Sequence, residues 1–216
     1  MEDEDVFLKQ LLEKIGMTTQ PIEVHVLPEA YATQDNCFPN VLEKVKRDGG
    51  EIIYGWSIQY GEIIIEAERH AVWKSPASEL IDITPNVLSL PMVNFVIDNT
   101  WVYTGKSVDN VRVNITDTPV VDDFILICET ITKLYQTGET GAAGVLHLLV
   151  PIKEHIDYLE IEKNNCVLYA VNGGTYDTPC YCGRPFSYKE CHGLNLKEDM
   201  KKAVENATIL LWNNRK

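Results

Sequence analysis

Cys180, Cys182, Cys191 and His192 fall within thirteen consecutive positions, in the stretch CYCGRPFSYKECHG. Thiolates and imidazoles are the donors zinc prefers, and a Cys3His set closes a tetrahedral shell with no position left for a substrate. The spacing therefore predicts a structural zinc site. Gly183 gives the backbone room to turn after the Cys-x-Cys pair. A helix beginning near Lys189 would point Cys191 and His192 back toward that turn. The metal would hold together a segment that cannot build a core of its own.

Three further cysteines lie outside this cluster. Cys128 in FILICETI and Cys166 in NNCVLYA have apolar neighbours and read as small buried hydrophobes. Cys37 differs, because it follows ATQDN, where Asp35 or Asn36 can cap a helix. Its thiol would then sit in the first helical turn, near the positive end of the helix dipole, a position that favours thiolate. A nucleophilic thiolate also needs a base and a group that orients the base. His70 in EAERHAVW and Asp82 in LIDITP offer both. A short turn containing Ser75, Pro76 and Ser78 separates them, and antiparallel pairing about that turn would bring the two together. For an oxyanion, the backbone N–H of Cys37 is the natural donor, with Gln34 and Asn36 as side-chain candidates. Trp56 and Trp73 read as core or cleft wall, where an aromatic surface excludes water. His25, His147 and His155 have no recognisable partner nearby and read as structural.

These residues need elements to place them. Val6, Leu8, Leu11, Leu12 and Ile15 recur at helical spacing up to Gly16, which suits a helix C-terminus. PIEVHVLP is a short extended piece, and CFPNVLEKVKRDGG reads as a second helix stopped by two glycines. EIIYGWSI, GEIIIEAERHAVWK and ELIDITP read as strands, paired antiparallel because their connections are short. Residues 92–115 suggest a strand, a turn around Gly105, and a further strand or loop. PVVDDFILICETITKLYQ is a helix with Pro119 at its start. GETGAAG is a loop, residues 148–174 form one helix with a break expected near Asn164 and Asn165, and LKEDMKKAVENATILLW is amphipathic.

A chain of 216 residues, 45% hydrophobic and 24% charged, has the composition of a globular domain with a sizeable core. Its formal net charge of −13 disfavours nucleic acid and anionic membrane as partners, because few basic side chains are present to release counterions. The acidic opening MEDEDVFLKQ has neither the basic start nor the apolar run of a secretion signal, and no apolar stretch reaches membrane-spanning length. The expectation is a cytoplasmic protein, where clustered cysteines are metal ligands or catalysts more often than disulfides. TGETGAAG lacks the Gly-Lys-Ser/Thr ending of a phosphate loop.

Two resemblances add to this. Cys180-x-Cys182-Gly183, followed by Tyr188-Lys189-Glu190-Cys191-His192-Gly193, is similar to the SEC-C zinc motif, which implies a zinc-bound knob that docks a protein partner. Cys37, Gly49-Gly50, Tyr54-Gly55-Trp56, His70-Ala71-Val72-Trp73 and Asp82-Ile83-Thr84-Pro85, in that order, resemble the transglutaminase-like branch of the papain-like superfamily. Val72 and Ile83 depart from that pattern, where tryptophan and proline are usual, and neither removes a catalytic atom. The resemblance implies an α+β fold in which a helix packs on an antiparallel sheet and Cys37, His70 and Asp82 form a triad. The expected organisation is a transglutaminase-like core over 1–116, a helical extension over 117–175, the zinc motif over 176–194 and a final helix over 195–216. The expected function is cysteine-dependent acyl transfer on a protein or peptide substrate, as peptidase, amidase, deamidase or amide transferase. The alternative is a binding module that keeps the papain-like shape without chemistry.

Overall fold

β-branched and aromatic residues along EIIYGWSIQY and IIEAERHAVWK build the centre of the first sheet. These runs form β2 (Glu51–Tyr60) and β3 (Ile64–Lys74), antiparallel from Glu51 opposite Lys74 to Tyr60 opposite Ile65. The computed structural model describes residues 2–105, 108–140 and 146–214. Its helices and strands make it an α+β protein. Contacts divide the chain into two units, Met1–Gly61 with Ile65–Lys106 and Asn110–Val113, and Glu62–Ile64 with Ser107–Asp109 and Asn114–Lys216.

In the first unit the sheet closes on itself. β1 (Ile22–Val26), β4 (Leu80–Asp82) and β5 (Met92–Ile97) join β2 and β3 in the order β2-β5-β1-β4-β3, and the β2–β3 pairing returns the ring to its start. The result is a five-stranded barrel, with β6 (Val111–Asn114) added beside β3. One pairing corrects the expectation of an antiparallel sheet: β1 runs parallel to β4, with His25 opposite Ile81 and Val26 opposite Asp82. Closure removes the exposed edges that an open sheet would present.

The period of two along each strand sorts the side chains into two faces. Val24, Val72 and Phe95 form one buried cluster. Ala71, Trp73 and Ile83 form another with Val41 of α2 (Cys37–Asp48), which packs on that outer face. His70 has the parity of Val72, so it shares the face of Val24 and Phe95. Gly55 lies directly opposite His70. A Cβ at Gly55 would stand 2.1 Å from the Val96 carbonyl and 2.5 Å from the Phe95 ring. Glycine there lets the Phe95 ring come edge-on to His70, with centroids 6.4 Å apart. On the outer face Arg69 stacks over Trp56 at 3.7 Å and Trp101 at 4.6 Å, and its guanidinium pairs with Asp98 at 2.7 Å. A further helix of this unit, α1, spans Glu2–Lys14.

The second unit is mainly helical. α3 (Pro119–Tyr135), α4 (Val150–Val171) and α5 (Leu196–Asn214) surround a cluster that includes Val121, Ile127, Leu134, Ile152, Ile156 and Leu159. Cys180, Tyr188 and Met200 belong to the same cluster, so the segments 117–175, 176–194 and 195–216 share one core. α4 runs unbroken through Asn164 and Asn165, correcting the expected break. Apolar packing of Ile156, Leu159, Cys166 and Ala170 on one side outweighs the weak helix propensity of the two asparagines. The expectation that GETGAAG is a loop is corrected at its start, where Glu139–Thr140 form β7 and pair with β8 (Leu146–His147). Residues 141–145 lie outside the described residues, as do 106 and 107 beside the turn at Gly105.

Candidate active site and metal-ligand cluster

The first group of candidates comes from three elements. Cys37 opens α2, His70 lies in β3 and Asp82 ends β4. All three are buried. Strand β4 pairs antiparallel with β3, and its last residue brings a carboxylate to the imidazole, with Asp82 Oδ2 2.9 Å from His70 Nε2. That bond occupies Nε2 and leaves Nδ1 open to another partner, and the Cys37 thiol lies near enough to act on the imidazole. The other Asp82 oxygen, Oδ1, accepts the Thr84 N–H at 2.9 Å, so the carboxylate is fixed at both ends. Burial by itself pushes the His70 pKa down. The hydrogen bonds to Asp82 and Cys37, together with their charges, outweigh it and raise the imidazole to about 10.

Asn40, one helical turn after Cys37, ties the site together. Its Nδ2 donates to the Thr33 carbonyl at 2.7 Å and to Thr84 Oγ1 at 3.2 Å, while its Oδ1 accepts the Thr33 N–H at 3.2 Å. The loop before Cys37 and the turn after Asp82 are therefore held by one buried amide. The composition gave no sign of Asn40 or Thr84, although i, i+3 spacing from Cys37 and the Asp-x-Thr turn are local signals that could have found them.

A cavity of about 580 Å³ opens over these residues, and Cys37, His70, Asp82 and Thr84 all line it. Gln34 lines it too, with its Nε2 donating to Asp35 Oδ2 at 3.4 Å. Asn36 is the residue before α2, but its Nδ2 donates to Thr33 Oγ1 at 3.3 Å and it is not among the lining residues. Trp56 is likewise not a cleft wall. Alternation along β2 turns Ser57 to the cavity and Trp56 to the outer face, over Arg69. The backbone N–H of Cys37 stands in the first turn of α2, where such groups lack an intrahelical acceptor.

The second group is compact. One donor atom from each of Cys180, Cys182, Cys191 and His192 lies within 4.8 Å of the others. Cys180 Sγ is 3.1 Å from His192 Nδ1, Cys182 Sγ is 3.5 Å from Cys191 Sγ, and Cys191 Sγ is 3.5 Å from His192 Nδ1. A tetrahedral ion with metal–sulfur bonds of roughly 2.3 Å needs donor separations of roughly 3.5–3.8 Å. The donor set and its spacing fit a metal ion. Gly183 follows the Cys-x-Cys pair with φ +75, and its N–H bonds back to the Cys180 carbonyl at 3.2 Å.

No helix carries Cys191 and His192, contrary to expectation. A single 3-10 turn, Tyr188–Glu190, ends just before them. The Gly193 N–H bonds to the Tyr188 carbonyl at 2.9 Å and reverses the chain, and a Cβ at Gly193 would stand 2.8 Å from the Tyr188 ring. Tyr188 is buried and anchors the turn. No local pattern points to the residue that orients His192. Glu162 of α4 lies with Oε2 3.4 Å from His192 Nε2 and accepts the Tyr181 hydroxyl at 2.7 Å. A carboxylate on the far nitrogen leaves Nδ1 facing the thiols, the tautomer a metal ligand requires.

The other cysteines behave as expected. Cys128 and Cys166 are buried, and burial pushes the Cys166 thiol up to about 12. No helix among the described residues is long and apolar enough to cross a membrane. Comparison with protein-family models, with curated proteins and with solved structures finds no match to this chain.

Proposed function

We propose that the chain is a cysteine-dependent acyl-transfer enzyme of the transglutaminase-like, papain-like type. The observation that carries this is the buried bond from Asp82 to His70 Nε2, with Cys37 lining the same cavity and acting on the same imidazole. In this reading His70 already holds the Cys37 proton as an imidazolium, and the thiolate sulfur attacks an amide or ester carbonyl. The carbonyl oxygen carries the negative charge and is met by the Cys37 N–H and Gln34. Collapse breaks the bond to the leaving amine or alcohol, which departs with the proton from His70, and a thioester on Cys37 remains. Water or an amine, deprotonated by His70, then attacks the thioester and frees the thiol. Asp82 holds the ring orientation and offsets the imidazolium charge.

The four clustered donors complete this reading as a structural zinc site of the SEC-C type. Three cysteines and a histidine fill a tetrahedral shell and leave no open position, so the metal would supply shape, not chemistry. Phe186 and Leu194, both largely exposed beside the cluster, are the surface through which such a knob would dock a protein.

Incubation with a p-nitrophenyl ester tests the proposal. A burst of nitrophenol equal to the protein present, with the acyl group mapped to Cys37 by peptide mass spectrometry, is expected. A Cys37→Ser variant that retains the same activity on an amide or ester rules the mechanism out.

A further inference from the structure

Cysteine chemistry alone does not account for the charge of the cavity. Its described lining includes the carboxylates of Asp35, Glu68 and Asp82 and the His70 imidazole, but no lysine or arginine. Asp82 is committed to His70 and Thr84. The other two flank the reacting pair, Asp35 two positions before Cys37 and Glu68 two positions before His70. On a strand that separation puts Glu68 on the face of His70, about 7 Å further along.

Neither carboxylate meets a lysine or arginine of the cavity, and the His70 imidazolium is already bonded to Asp82. Glu68 accepts a hydrogen bond from Gln59 Nε2 at 3.1 Å, and Asp35 one from Gln34 Nε2 at 3.4 Å. Burial raises the Glu68 pKa; His70 opposes this, and the charges of Glu66, Asp35 and Asp82 add to it. Asp35 is exposed and Glu68 half-buried, and their charges repel; a cation between them relieves that repulsion and the desolvation of Glu68.

The rim has a different character. Asn86 clamps its own loop, its Nδ2 donating to the Leu90 carbonyl at 3.1 Å and its Oδ1 accepting the Leu90 N–H at 2.8 Å. The loop held in this way presents Val87 and Leu88, which are 73% and 74% exposed and line the cavity. These two side chains give the rim an apolar face beside the carboxylates.

Resting on the acyl-transfer reading, we propose that the cavity selects a substrate with a guanidinium or ammonium group one residue's reach from the carbonyl attacked by Cys37. Glu68 and Asp35 hold that cation, and an apolar neighbour of it packs on Val87 and Leu88. Acidic and neutral polar substrates are rejected, because they leave the carboxylates facing a like charge or no partner.

Two methanethiosulfonate reagents of similar size test this on the full chain with its metal bound. One carries a trimethylammonium group and the other a sulfonate, and labelling of Cys37 is followed by peptide mass spectrometry. The cationic reagent is expected to react about 10-fold faster or more, and Glu68→Gln to reduce that ratio by about 3- to 10-fold, with Asp35→Asn acting in the same direction. Glu23→Gln removes an exposed carboxylate of β1 outside the cavity and is expected to leave the ratio unchanged. Leu88→Ser is expected to slow labelling by benzyl methanethiosulfonate without moving the charge ratio. A ratio near one, or one that falls as much in Glu23→Gln as in Glu68→Gln, overturns the cation pocket. Fast, His70-dependent labelling with a ratio that Glu68→Gln does not move refutes the pocket and leaves the acyl-transfer reading standing. Slow labelling that ignores His70 refutes that reading, and the charge ratio then tests the pocket as a binding site by itself.

Discussion

The two candidate centres are held together by opposite means. Cys37, His70 and Asp82 come from a helix and two strands spread along the chain, and a closed sheet with buried hydrogen bonds places them. Cys180, Cys182, Cys191 and His192 sit in a segment whose only regular element is a three-residue 3-10 turn. Cys180 and Tyr188 seat this segment in the helical core, and a shared ion would offset the repulsion among the clustered thiols when they ionise. One centre is a consequence of the fold around it, while the other has a donor set that a metal would complete.

Removing the metal should break the comparison most visibly. Structural zinc contributes apparent binding free energies of about 10–16 kcal/mol, so chelation is expected to abolish amide-exchange protection over residues 178–193. Protection in β2 and β3 should persist. Equal loss in both places would mean that the barrel also depends on the metal.

Asp82→Ala attacks the other centre. It leaves a buried imidazolium without its carboxylate, which costs about 3–5 kcal/mol. Urea unfolding followed by tryptophan fluorescence should show this, with exchange in residues 178–193 unchanged.

The His70 pKa gives a pH signature to the barrel alone. Its folded value, raised to about 10, lies above the value near 6.5 for an unfolded histidine. The folded state therefore holds the extra proton, and the stabilisation is fully present below about pH 6.5. It is lost as pH rises through about 10, by at most about 1.4 kcal/mol per pH unit. Denaturation series between those limits should show the fall in the parent chain and not in His70→Gln.

Glu162→Gln is the mildest test. It keeps an oxygen for His192 Nε2 but removes the charge behind it, and should weaken metal affinity about 10-fold without altering the Cys37 site. An unchanged affinity would show that Tyr181 and the packing around His192 orient the ring without the carboxylate.

The same contrast explains what was legible in the sequence. The cysteine–histidine cluster is local, so spacing alone exposed its ligands. The pairing of His70 with Asp82 was legible because β3 and β4 are joined by a short turn, and one antiparallel step predicts the contact. The parallel β1–β4 pairing was not, because Ile22–Val26 finds its partner across the whole of α2, β2 and β3. Without that pairing, barrel closure could not be inferred. Residue type left Trp56 between core and cleft wall, and the parity of β2 decides it, burying the ring on the outer face over Arg69 and putting Ser57 at the cavity. Glu162 lies on another helix, 30 positions before His192, and no local pattern connects the two.

The central claim is that His70 activates Cys37. Alkylation of the metal-loaded native chain with iodoacetamide, from about pH 5 to pH 9, measures this directly when each cysteine is mapped by peptide mass spectrometry. Metal-held thiolates should be protected, and Cys128 and Cys166 shielded by burial. His70→Gln keeps a donor for Asp82 while removing the base. The account predicts fast labelling of Cys37 at the acidic end of the range, lost in His70→Gln. Slow labelling of Cys37, or labelling that His70→Gln leaves unchanged, would contradict it.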